Sequence, residues 1–204
     1  MAPQTFRSIA GIPPSTASTT DSVLIIIDAQ NEYANGALAV TNLSTSRPAI
    51  KSLLERYRKS ETGGHMVHVV HIVPDGTPIF TPGTELAEEF VELRPSTYLD
   101  NFEGGKSKEV LVKKHFPGAF TETNLDQLIK KAGVNKVVLV GYMAHVCVST
   151  TAREAYQKGY EVLVVEDAIG DRDIPGMTGE ELTKAVLLEL GDVFATIIKS
   201  GDIQ

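Results

Sequence analysis

The 204-residue chain holds a single cysteine, so it cannot close an intrachain disulfide. It has no need of one, because a chain of this length buries roughly 70% of the surface its unfolded form exposes. Long apolar runs are missing as well. The run Val23-Leu24-Ile25-Ile26-Ile27 falls far short of the ~20 residues of a membrane span. Positive charge is in the minority, with 19 basic against 26 acidic residues and a formal net charge of −7. That balance works against a duplex nucleic-acid partner and against an anionic membrane surface. Residues 1–20 contain Arg7, Pro13-Pro14 and a Ser/Thr cluster, but no apolar core of a secretory signal. They are expected to form a flexible N-terminal arm. One cysteine and no export signal favour a reducing, cytoplasmic setting, while leaderless release stays open. Internal repeats and linker-like stretches are absent too, so residues 21–204 are expected to form one domain.

What remains is a rhythm of short β-branched runs alternating with amphipathic stretches. Apolar strands are expected at Ser22 to Ile27, His65 to Val73, Val110 to Val112, Lys136 to Val140, Glu161 to Val165 and Val193 to Ile197. Helices are expected over Thr45 to Glu61, Asn124 to Ala132, Cys147 to Lys158 and Thr178 to Leu190, with a short helical stretch between Thr84 and Leu93. Buried strands separated by helices predict an α/β fold, a six-stranded parallel sheet with helices on both faces, in a Rossmann-like three-layer arrangement. In such sheets the ligand crevice lies beyond the carboxyl ends of the strands. The residues there are Asp28, Pro74-Asp75, Lys113-Lys114, Gly141 to Cys147, and Glu166-Asp167.

Three of these carry chemistry. A carboxylate ending a buried strand, Asp28, loses hydration and becomes a candidate proton shuttle; alone it would equally serve as a turn or cap residue. Cys147 falls where the fourth strand passes into a helix, and a helix N-terminus lowers a thiol pKa, although a lone cysteine is also often an inert small hydrophobe. Its own N–H and one from the preceding loop could serve an oxyanion. Of Lys113 and Lys114 only one can face the same site, since successive strand residues alternate. Gln30 is placed to orient a partner and Tyr33 to form an aromatic wall. Acid, cation and thiol together match the requirements of a three-group hydrolytic site.

The segments VLIIIDAQNEY, VKKHFPGAF and VVLVGYMAHVCVSTTAREAYQKGYEVLVVEDA resemble the isochorismatase-like cysteine hydrolase superfamily, in the family's order, from Val23 to about Ile198. The resemblance implies a catalytic triad of Asp28, Lys114 and Cys147. Lys114 is chosen because the family's lysine lies six residues before the Phe of a small-Ala-Phe turn, here Gly118-Ala119-Phe120. It also implies an oxyanion hole from the Met143 and Cys147 amides, with a cis peptide between Tyr142 and Met143. Substrate contacts are expected from Gln30, Tyr33, Phe80, Phe116, Tyr142, Ala144 and His145.

Two departures narrow the substrate. Nicotinamidases of this superfamily hold a metal with an Asp-x-His pair after strand two, whereas Thr77 stands here where the histidine is needed. His65, His68 and His71 do not replace it, because their spacing of three throws His68 to the opposite face. No metal and no cofactor are expected. Several isochorismatases place glycine at the position of Cys147, since hydrolysing a vinyl ether needs an acid and a water but no nucleophile. A thiol suits cleavage of an amide or carbamoyl C–N bond through a thioester. The leading expectation is therefore an amide or carbamoyl hydrolase. Its alternatives are an isochorismatase with Asp28 as general acid, and a catalytically silent ligand-binding or interaction protein. A nucleotide-binding module would want G-x-G-x-x-G after strand one, where the chain reads Asp28-Ala29-Gln30-Asn31-Glu32-Tyr33. The partners expected are a small-molecule substrate and further copies of the chain, as a dimer or tetramer, without nucleic acid or membrane.

Overall fold

The computed structural model describes residues 2–100, 102 and 108–204. Its strands are β1 Ser22–Ile27, β2 His65–His71, β3 Lys108–Lys114, β4 Lys136–Tyr142, β5 Glu161–Gly170 and β6 Thr196–Ile198. They form one sheet in the order β3-β2-β1-β4-β5-β6, with every neighbouring pair parallel. Parallel strands need crossovers, and these are supplied mainly by α3 Leu43–Lys59, α4 Leu125–Ala132, α5 Ser149–Gln157 and α6 Gly179–Val193. One face of the sheet, with Val23, Ile25, Ile27, Val67 and Val69, packs against Leu125, Leu128 and Ile129 of α4, Ala152 of α5 and Leu190 of α6. The other face, with Leu24, Ile26 and Met66, packs against Ile50, Leu53, Leu54 and Tyr57 of α3 and against Phe90 and Leu93. Two covered faces explain why the central strands are apolar without alternation.

The interruptions follow recognisable signals. α4 stops at Gly133, whose φ of 72° is the left-handed cap a glycine supplies. α6 opens with a capping box, Thr178 accepting from the Glu181 N–H while the Glu181 carboxylate accepts from Thr178. Near the end of β4, Gly141 has a φ of 112°, and a Cβ there would lie 2.0 Å from the Ile27 carbonyl oxygen. The close approach of β1 and β4 therefore requires glycine.

Several elements differ from the sequence expectation. The stretch from Thr84 to Leu93 forms only a 3₁₀ turn, Glu85–Ala87, because its backbone bonds to the segment after β1: Asn31 N–H to the Glu88 carbonyl and Phe90 N–H to that of Ala29. Val193 ends α6 and does not begin β6. β5 runs five residues past Val165, since its register against β4 slips between Leu139↔Val164 and Gly141↔Ile169. Glu166 and Asp167 consequently lie inside β5, away from the expected crevice, and Asp167 holds the N–H and hydroxyl of Ser200 at 2.8 and 2.6 Å. The segment before β1 contains a one-turn helix, α1 Phe6–Ile9, and rests on the domain through Phe6 N–H to Asp192 and Ser15 N–H to Thr196; a second one-turn helix, α2 Glu32–Asn35, follows β1. No helix among the described residues is long and apolar enough to cross a membrane.

Candidate active site

The carboxyl ends of β1, β3 and β4 converge on one cluster. Asp28 follows β1 with its N–H bonded to the Val69 carbonyl at 2.9 Å, and its φ of 49° places a non-glycine residue in the left-handed region. Such a conformation costs of order 1 kcal/mol or more and is held here by the sheet on both sides. Asp28 Oδ2 stands 2.7 Å from Lys114 Nζ, and both side chains are fully buried. Lys114 ends β3 in register with His71 of β2, and its ammonium also reaches Cys147 Sγ at 3.3 Å, the Phe116 carbonyl at 3.0 Å and His71 Nδ1 at 3.2 Å. Lys113 lies on the other face and is exposed, whereas Lys114 is buried beside Asp28.

Cys147 sits in a π-helical turn, Ala144–Val148, inserted between β4 and α5, where sequence reasoning expected the first turn of an α-helix. The Tyr142–Met143 peptide that leads into it is cis. The thiol is 5% exposed. Burial and the Asp28 charge push it up to about 12 against the pull of Lys114. The expectation of a lowered thiol pKa is thus reversed, because a helix end acts mainly within its first turn and cannot offset lost hydration beside a carboxylate. Burial likewise raises the Asp28 carboxyl, with Lys114 opposing. Burial alone would lower Lys114, but Asp28 and Cys147 outweigh it and hold the ammonium above its usual range.

The expected substrate residues divide. Tyr33 is buried, and that burial, with the neighbouring Cys147 and Asp28, holds its phenol well above its ordinary range. Phe80 packs edge-on to Tyr33 at 5.3 Å and against His71 at 5.3 Å. Ala144 is buried in the π-turn, and His145 is half-buried with Nδ1 2.7 Å from Asp171. Phe116 contributes its carbonyl to Lys114, while its side chain is 42% exposed. Gln30 is not free for a ligand: its Oε1 accepts from the His71 N–H at 2.8 Å and its Nε2 donates to the His71 and Ala87 carbonyls. Tyr142 is no free wall either, since its hydroxyl bonds Ser46 at 2.8 Å and its ring is fully buried behind Tyr33.

Sequence reasoning missed two participants. His71 would have been visible as the register partner of Lys114, had the pairing of β2 with β3 been known. Asp171 was hidden by the early end assigned to β5; fully buried, it accepts from the His145 N–H at 2.9 Å and the Arg172 N–H at 3.0 Å, tying β5 to the turn that bears Cys147. Among the described residues no three His, Cys, Asp or Glu side chains are grouped as a metal ion would require. A cavity of about 310 Å³ shares His71 and Phe80 with the cluster.

This arrangement has counterparts. The family model for the isochorismatase domain matches residues 22–202. The chain is 55% identical to the secreted isochorismatase effector Isc1 of Verticillium dahliae, over 98% of each chain. Among solved structures it resembles an isochorismatase from Pseudomonas putida, with a TM-score of 0.87 and 29% identity over 100% of both chains. It also resembles N-carbamoylsarcosine amidase from Thermoplasma acidophilum, with a TM-score of 0.72 and 27% identity over 91% of this chain and 99% of that one.

Proposed function

The chain belongs to the isochorismatase family, and from that premise we propose that it hydrolyses the vinyl ether of isochorismate with Asp28 as general acid. Asp28 delivers a proton to the terminal methylene carbon, leaving a cation stabilised by the ether oxygen. Water adds to that cation and returns a proton to Asp28. The hemiketal so formed breaks its bond to the ring oxygen, releasing the ring alcohol and pyruvate. Lys114 receives the carboxylate that Asp28 becomes. The observation that carries this reading is a fully buried carboxyl, raised by its burial and set 2.7 Å from an ammonium, beside a thiol kept neutral by a pKa of about 12. An acid is favoured in that setting and a resting thiolate is not.

One contact favours the second reading, cleavage of an amide or carbamoyl C–N bond. Lys114 Nζ lies 3.3 Å from Cys147 Sγ, where it would stabilise a thiolate as it forms. In that version Asp28 takes the thiol proton, Cys147 attacks the carbonyl carbon, and the Met143 and Cys147 amides hold the oxyanion. Asp28 then protonates the leaving nitrogen and water clears the thioester.

Cys147→Ala separates the two. Pyruvate release from isochorismate should persist in this variant, whereas release of ammonia or amine from carbamoyl compounds would be abolished. A wild-type protein inactive on isochorismate and on a panel of amides would leave only the silent-protein reading. Self-association as a dimer or tetramer belongs to the same proposal and is read by light scattering on the purified chain. The Verticillium relative is named as secreted, and release of this chain from the cell is the matching expectation. Immunoblots of medium and lysate, with a cytoplasmic marker as control, test it.

A further inference from the structure

The cavity of about 310 Å³ is lined in part by His71 and Phe80, whose rings lie 5.3 Å apart. The reacting cluster stands behind these two residues. His71 Nδ1 is 3.2 Å from Lys114 Nζ, which is 3.3 Å from Cys147 Sγ, and Phe80 packs at 5.3 Å on Tyr33. Phe80 thus separates the cavity from Tyr33 and the cluster. A φ of 47° puts this non-glycine residue in the left-handed region, a conformation that its surroundings must hold. Glu32, which opens α2, supplies the hold: Oε2 accepts from the Phe80 N–H at 3.0 Å and Oε1 from the Leu38 N–H at 3.2 Å. From Val73 to Thr84 the other hydrogen bonds close within the segment, so among the described residues the bond to Glu32 is the one that ties it to the rest of the chain. Glu32 is fully buried, an expensive place for a carboxylate. Gly36 makes room for it, since a Cβ there would lie 2.3 Å from Glu32 Oε1.

We propose that Phe80 limits the size of the ligand that reaches the cluster, and that Glu32 is the positioning residue that keeps the Phe80 ring in place by fixing its backbone. The inference rests on Asp28, Lys114 and Cys147 being the reacting groups, whichever bond they cleave. With the ring held, a compact ligand is admitted and a bulky one is stopped at the wall. Without the ring, the cavity runs on to Tyr33 and the cluster, and bulky ligands gain a passage. Loss of the bond to Glu32 acts in the same direction, because the segment that carries the ring then has no polar tie to the rest of the chain.

Cys147 is the chain's only thiol, so its alkylation reports access to the cluster. The full chain is treated at one fixed alkaline pH with iodoacetamide and, separately, with the bulkier N-benzyliodoacetamide, and intact mass gives a rate for each. Both reagents consume the same thiolate, so a change in its pKa cancels in the ratio of the two rates. In Phe80→Ala the relative rate of the bulky reagent should rise about tenfold or more, the scale on which an apolar pocket discriminates by size. A bulky reaction that appears only when the ring is gone is the same result in its extreme form. The ratio should rise less, but in the same direction, in Glu32→Gln, whose amide offers one acceptor oxygen to two N–H groups, and in Gly36→Ala, whose methyl displaces the carboxylate. Gly133→Ala, which strains the chain before β4 at the other end of the sheet, is the control and should keep the wild-type ratio. An unchanged ratio in Phe80→Ala, or no reaction of any variant with either reagent, overturns the size role. An unchanged ratio in either Glu32→Gln or Gly36→Ala overturns the role of Glu32, and an equal rise in Gly133→Ala overturns both. Should Phe80→Ala not fold, Phe80→Leu, which removes part of the ring's bulk, takes its place with the same outcomes. Alkylation requires no substrate, so failure of the functional reading and failure of this inference remain distinct.

Discussion

Asp28 and Lys114 are each costly to bury alone and tolerable together, which makes their separate removal informative. Lys114→Met leaves a carboxyl with no counter-charge in a fully buried position, and its stability should drop by about 3–5 kcal/mol in urea unfolding at neutral pH. Adding Asp28→Asn to that variant should recover much of the loss, because neither charge is then left unpaired. Additive losses in the double variant would mean that the pair is not coupled. Activity obeys a different rule. Asp28→Asn alone should lower turnover by ~10²–10⁴, the usual range for a general acid or base. The pH profile then identifies which of the two roles it plays. As an acid, Asp28 works in its protonated form, whose pKa burial raises, so kcat/KM should decline as pH rises above that value. As a base that takes the thiol proton it works ionised, so the rate should instead rise through that same value and stay level above it.

At the scale of elements, Gly141 links the sheet to this chemistry. It pairs with Ile27, the residue before Asp28, and its φ of 112° and the 2.0 Å approach of a built Cβ to the Ile27 carbonyl leave no room for a side chain. Gly141→Ala should therefore cost at least ~2 kcal/mol, combining a strained backbone with a clash, and should reduce activity by displacing Asp28. Gly133→Ala, at a φ of 72° with open space around its Cβ, carries only the conformational cost, about 1 kcal/mol, and should leave activity unchanged. Thermal melts and turnover of the two variants, side by side, check the contrast. The same elements show what was readable in the chain. β1 and the cores of β2 and β4 were legible because strands covered on both faces must be apolar throughout, and α4 and α6 because Gly133 and Thr178 announce their ends. Asp28 and Lys114 were legible because strand ends point to the crevice. Pairing register was not legible. The slip in β5 that extends it to Gly170 depends on which residues of β4 stand opposite, and so does the meeting of His71 with Lys114. Gln30 was misassigned because its amide groups are satisfied by the carbonyl of Ala87, 57 residues away, as well as by His71.

Across the whole molecule, two histidines of β2 set opposite limbs of the stability curve. His68 is buried on the α3 face of the sheet between Glu89 at 2.7 Å and Glu109 at 2.9 Å, and Glu109 is held in turn by Arg58 of α3. This network joins α3, β2, β3 and the segment from Glu85 to Tyr98, whose hydroxyl also reaches Glu89. Burial alone would lower His68, but the two carboxylates outweigh it and raise the imidazole to about 8. A folded value above the unfolded value of about 6.5 means the stabilisation is complete below pH 6.5 and is lost as pH rises through 8, a contribution of order 2 kcal/mol. His71 has the opposite sign, since burial and Lys114 lower it to about 4. A depressed value means its stabilisation is complete above the unfolded value and is withdrawn as pH falls toward 4. The two together predict a stability maximum between roughly pH 6 and 7, with an alkaline limb owed to His68 and part of the acid limb to His71. Melting temperatures of wild type and His68→Gln between pH 5 and 9 test this. The variant should be less stable at pH 6 and should flatten the decline from pH 6.5 to 8.5. An alkaline limb as steep in the variant as in wild type would show that His68 does not carry it.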